Sequence, residues 1–85
     1  MGQPPADAGD SGRVRELYER AVADYGNALT RLTRAYEADA DRRRDVLQDI
    51  HMALWEGLAR FDGRSGLGTW VYRVAQNTAT SICVR

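Results

Sequence analysis

Lysine is missing from these 85 residues, and all 12 basic side chains are arginine. The 12 acids match them, so the formal net charge is zero and there is no overall positive field to draw the chain onto duplex DNA. A single cysteine, Cys83, excludes an internal disulfide and fits a reducing, cytoplasmic setting. It has no neighbouring Cys or His with which to hold zinc, and reads as a small core or surface residue. Apolar residues make up 44% of the chain, yet no run approaches the roughly 18–20 needed to cross a bilayer, so no membrane insertion is expected. The start, MGQPPADAGDSG, has neither the basic nor the apolar region of a secretory signal. Pro5 and Ala6 stand where a myristoylation start would carry Ser or Thr.

Catalytic chemistry is equally thin. The one histidine, His51, has no nucleophile or base arranged around it as a triad, and reads as a structural or solvent-facing residue. Asp45 and Asp49 are one helical turn apart, but a metal site would need further ligands from another helix. The segment Gly63 to Gly68, GRSGLG, lacks the Lys-Ser/Thr ending of a phosphate loop. The chain is therefore not expected to be an enzyme, and no catalytic residue, metal or cofactor is assigned.

What is present is helical pattern. Residues 1–12 hold both prolines and three glycines and read as a disordered tail; residues 13–85 read as one domain. Asp10 or Ser11 is a candidate cap for the first helix. Val14, Leu17, Tyr18, Ala21, Val22, Tyr25, Leu29, Leu32 and Tyr36 recur at steps of three and four, predicting a helix from Arg13 to about Ala38. Gly26 inside it would mark a bend or a close helix crossing. Asp39 or Asp41 can cap a second helix bearing Val46, Leu47, Ile50, Leu54 and Leu58 on one face, with Trp55 at its border. Asp62-Gly63 opens a glycine-rich turn. A third helix should start near Leu67 or Gly68, with Trp70, Val71, Val74, Thr78 and Ile82 as its stripe. No strand pattern interrupts this, so the expected fold is all-α, a small bundle of three to four helices with the first two antiparallel.

Charge is unevenly spread. Met1 to Ala59 carries 8 Arg against 11 acids, a balance of −3, whereas Arg60 to Arg85 carries 4 Arg against 1 acid, a balance of +3. Any nucleic-acid contact should sit in that last third. It contains Arg60, Arg64, Ser65, Thr69, Trp70, Tyr72, Arg73, Gln76 and Asn77: guanidiniums for phosphates, amides for base edges and aromatic faces for unpaired bases. The competing reading makes Trp70 the core anchor of the third helix and leaves the polar residues merely exposed.

The order of segments decides between them. Asp45-Val-Leu-Gln48-Asp49-Ile-His-Met-Ala-Leu-Trp55 is similar to the D-L-V-Q-E-V-F-x-x-x-W signature of the sigma-70 family. Arg60-Phe-Asp-Gly63 and then Thr69-Trp-Val-Tyr-Arg-Val-Ala-Gln-Asn77 follow at the family's spacing, the latter resembling T-W-L-Y-R-I-A-R-N. From about Leu17 to Arg85 the chain thus resembles region 2 of RNA polymerase sigma factors, in the extracytoplasmic-function branch. The resemblance implies a domain that binds core RNA polymerase at the clamp helices of its largest subunit. It also implies recognition and opening of the promoter −10 element, mainly through the non-template single strand.

Position by position, the resemblance assigns polymerase binding to Asp45, Gln48, Asp49, Met52 and Trp55. It assigns base capture to the loop Asp62 to Gly68, and −10 DNA contact to Trp70, Arg73, Gln76 and Asn77, beside Arg60, Arg64, Ser65 and Thr69. There are departures. Ser81 stands where the family usually has an acid, Gln76 replaces a frequent arginine, and Gly66 and Gly68 would loosen the loop and the helix start. The family's −35-reading domain is not within these residues, so duplex binding is expected to be weak and salt-sensitive, with a −10 single strand bound better. The alternative is a sigma-like interaction module that binds polymerase or an anti-sigma regulator without opening promoters.

Overall fold

A computed structural model describes residues 5–83, with side chains from residue 12 onward. Three helices account for its regular structure: α1 (Pro5–Tyr36), α2 (Ala40–Leu58) and α3 (Leu67–Cys83), with no strand among the described residues. Each helix packs on both others. Tyr18 meets His51 and Trp55, so α1 and α2 run antiparallel, as expected of their three-residue joint. Tyr36 meets Thr80 at the far end of α3, so α1 and α3 run the same way.

The core is Ala21 and Leu29 from α1, Val46, Ile50 and Leu54 from α2, and Val71, Ala75 and Ala79 from α3. α2 follows its expected stripe. On α3 the buried line is Val71-Ala75-Ala79, while Trp70, Val74 and Ile82 pack only at its edge. The expected stripe is therefore rotated: alanines face the core because small side chains let α3 lie close against two neighbours. The single buried polar residue among those described, Thr33, donates its hydroxyl to Thr30 O at 2.7 Å, satisfying it within its own helix.

α1 departs from expectation at its start. The backbone is helical from Pro5, eight residues before Arg13, so most of the expected tail continues the helix; residues 1–4 lie outside the described residues. Asp10 and Ser11 fall within the helical backbone, not at its first position. Proline suits the first helical position because its fixed φ is already helical and its missing N–H has no partner there, and extension of a formed helix is cheap. Gly26 marks neither a bend nor a crossing. The helix runs through it, and a Cβ there would meet only Val22 of the same helix, at 3.8 Å.

Of the two candidate caps for α2, Asp39 takes the position. Its Oδ1 accepts from Asp41 N–H at 2.8 Å and Arg42 N–H at 3.0 Å, with extended backbone at φ −75°, ψ 126°. The other end of α2 is held from α1. Arg13 donates from its guanidinium to Leu58 O at 3.3 Å and to Phe61 O, tying the glycine-rich loop down.

Candidate functional site

Two exposed surfaces carry the residues singled out from the sequence. The first lies along α2. Leu54, Ile50, Val46 and Leu58 face inward, so the 100° step per residue sends Gln48, Met52 and Trp55 outward. Met52 is 54% exposed and Trp55 44%, unusual for side chains of their size. With Tyr18, His51 and Glu56 they line a groove of about 300 Å³ between α1 and α2. Tyr18 organises its floor. Its hydroxyl lies 2.9 Å from His51 Nδ1, and its ring stands edge-on to Trp55 at 5.3 Å between centroids. Burial holds the His51 imidazole below its ordinary value of 6.5, favouring the neutral ring, whose tautomer sets which of the two partners donates. The sequence reading treated Tyr18 as one more stripe residue and His51 as incidental. Their pairing across 33 positions has no local signal.

Asp45 and Asp49 are exposed but lean the other way, lining a groove toward α3 with Glu37, Arg42, Val46 and Ile82. The five α2 residues therefore share one outward surface whose two edges differ, apolar beside α1 and acidic beside α3.

The second surface is the loop 59–66 with the outer face of α3. Arg60, Arg64, Thr69, Arg73, Gln76 and Asn77 are exposed, and Ser65 is half-buried. Arg64 is tethered: its Nε lies 3.2 Å from Asp62 Oδ2, while Asp62 Oδ1 accepts from the Arg64 backbone N–H at 3.0 Å. This exposed pair contributes little stability but lowers the free positive charge of the loop. Trp70 is not a free stacking platform. Its indole lies against Gly57, where a Cβ would come within 2.8 Å of Cζ2, and is tilted on Phe61 at 5.3 Å. One edge of it remains open in a groove of about 380 Å³ shared with Ala53, Glu56, Arg60 and Val74. Trp70 thus anchors α3 and also forms one wall of an open groove.

Gly68 does not loosen the helix start. It is where the Tyr25 ring crosses α3, and a Cβ there would sit 2.6 Å from Tyr25 Oη. Tyr25 in turn stands edge-on to Tyr72, at 6.2 Å. No cluster of three or more His, Cys, Asp or Glu is placed to hold a metal ion among the described residues. None of the described helices is long and apolar enough to cross a membrane.

Comparison with known proteins adds an independent line. The family model described as Sigma-70 region 2 matches residues 21–83. The chain is 31% identical over 65 residues to the RNA polymerase sigma-H factor of Pseudomonas aeruginosa, covering 76% of this chain and 34% of that protein. It is 32% identical over 65 residues to the RNA polymerase sigma factor YlaC of Bacillus subtilis, covering 76% and 35% respectively. The chain spans about a third of the length of these curated relatives. No solved structure matches it significantly.

Proposed function

Because the chain belongs to the sigma-70 region 2 family, we propose that it docks on core RNA polymerase through the outer surface of α2. The loop 59–66 and α3 then meet the −10 region of promoter DNA during initiation. One observation supports this reading: the two sets of residues lie on different exposed faces, along α2 and along loop 59–66 with α3, which adjoin at Glu56. Met52 and Trp55 offer apolar area that a partner would remove from water, at about 25 cal/mol per Å². Gln48 beside them and the acidic edge at Asp45 and Asp49 supply polar contacts that fix register against a basic, partly apolar helix pair. Clamp helices of the largest polymerase subunit have the form such a surface fits.

The DNA side works by capture. Opening a duplex costs unstacking and unpairing, and the cost is offset only by contacts available to unpaired bases. Arg73 can hold a phosphate, Gln76 and Asn77 can reach base edges, and the open edge of Trp70 beside Arg60 can receive an apolar face. Binding energy alone opens the strands; no bond is made or broken by this chain.

A second reading keeps polymerase docking, or docking to an anti-sigma regulator, without promoter opening. The Arg64–Asp62 pair and the packing of Trp70 on Gly57 and Phe61 favour it, since both withdraw groups from the DNA surface. Capture of core polymerase by the native chain, Gln48→Ala and Asp49→Lys tests the docking surface. Either change should weaken capture, and equal capture by all three would refute it. Titration of a −10 single strand against the matching duplex at fixed salt separates the two readings: promoter opening requires tighter binding to the single strand.

A further inference from the structure

Charge is segregated across α2 in a way the docking reading does not use. The groove on its α3 side is lined by three carboxylates, Glu37, Asp45 and Asp49, against one guanidinium, Arg42. The groove on its α1 side, at the opposite end from Trp55, has the reverse character. Thr30, Thr33 and Leu47 form its floor, Arg34, Arg43 and Arg44 its walls, and no acid lines its roughly 220 Å³. Among the described residues the one ion pair is Arg64–Asp62, so none of these three guanidiniums is within 4 Å of a described carboxylate. The nearby Asp39 is committed to the backbone N–H groups of Asp41 and Arg42.

Helix stability does not account for this placement. Arg42, Arg43 and Arg44 follow directly on Ala40 and Asp41 at the positive end of the α2 dipole, where cations are disfavoured. Arg34, in the last turn of α1, suits its own dipole, but brings a third positive charge into the same groove. Arg44, Gln48, His51 and Trp55 recur at steps of four, three and four, so the Arg44 wall of this groove lies on the same face of α2 as Trp55. Arg44 and Trp55 are eleven residues apart on one helix, about 16 Å, a distance that one docked helix covers in roughly three turns.

We propose that the Arg34–Arg43–Arg44 groove is a second contact region for the same polymerase partner and takes a carboxylate-bearing stretch of its docked helix pair, distinct from the basic stretch that meets Asp45 and Asp49 on the other side of α2. This rests on the docking reading above. An apolar end at Trp55 and a cationic end at Arg43 and Arg44 fix which way round the partner lies, because only one orientation pairs both. A nucleic-acid phosphate is the rival occupant. A helix face shared with an exposed tryptophan favours protein, as does the location between α1 and α2, away from the α3 surface assigned to DNA.

The test compares the native chain, the double variant Arg43→Glu/Arg44→Glu, and Trp55→Ala in titrations against core RNA polymerase across a salt series. A −10 single strand is titrated in parallel. Glutamate at these positions suits the α2 dipole, so the fold should persist; circular dichroism checks it, and Arg43→Gln/Arg44→Gln serves if it does not. The expected result is at least a tenfold loss of polymerase affinity at low salt, a flatter salt dependence than the native chain's, and unchanged strand binding. Loss with Trp55→Ala but not with the double variant would overturn this inference and leave docking intact. Loss with neither would overturn both. Loss of strand binding instead would assign the groove to phosphate.

Discussion

At the residue scale, the sharpest contrast is between glycines. A Cβ at Gly57 would enter the Trp70 indole, forcing it off its contacts with Gly57 and Phe61. Gly57→Ala should therefore cost about 1–3 kcal/mol through overpacking, despite the gain in helix propensity. Gly26→Ala meets nothing but Val22 at 3.8 Å and should stabilise by about 0.5–1 kcal/mol. Thermal melts of the two variants should shift in opposite directions. His51 gives a pH signature of its own. Its folded-state value lies below 6.5 because burial disfavours the imidazolium, so the unfolded chain binds the proton more readily. The stability it contributes is fully present above pH 6.5 and is lost as pH falls through its folded-state value. Protonation also makes Nδ1 a donor, toward which the Tyr18 hydroxyl can only accept. Chemical denaturation at a series of pH values should show that loss in the native chain and a flatter profile in His51→Gln.

At the element scale, Asp39 is the one side chain that starts α2. Asp39→Ala should lower the denaturant midpoint with an unchanged slope, read by denaturant titration, because two backbone N–H groups lose their acceptor. Those same hydrogen bonds, chiefly Arg42's, hold the Asp39 carboxyl below its ordinary value, so its contribution fades only under acid conditions well below the His51 window. The elements themselves were legible in the sequence. Apolar spacing located three helices, Asp39 was one of two candidate caps, and Asp62-Gly63 announced the turn. What was not legible has a common cause. The start of α1 at Pro5 depends on extension of a helix nucleated elsewhere. The rotation of α3 onto Ala75 and Ala79 depends on how closely three helices approach, and a hydropathy stripe weighted by large residues points at Val74 and Trp70 instead. The crossings at Gly57 and Gly68 are tertiary facts, and Gly26, the glycine read as a possible crossing, meets no other helix.

At the scale of the whole molecule, a zero net charge conceals three surfaces: an acidic edge and an arginine groove on either side of α2, and an arginine-and-amide face on α3. The residues expected from the sequence to meet polymerase and DNA are nearly all exposed; Ser65 and Trp70, the exceptions, are half-buried. Tyr18, which completes the floor beside His51 and Trp55, comes from outside the motif and emerges only when α1 folds back along α2. The central claim is that docking and strand capture are carried by separate faces. It is tested most directly by measuring core polymerase and −10 single-strand affinities for two variants, Trp55→Ala and Arg73→Ala/Asn77→Ala. The account predicts a double dissociation: Trp55→Ala loses at least tenfold for polymerase and keeps the strand, and the α3 variant does the reverse. Variants that lose both affinities together, or neither, would contradict it.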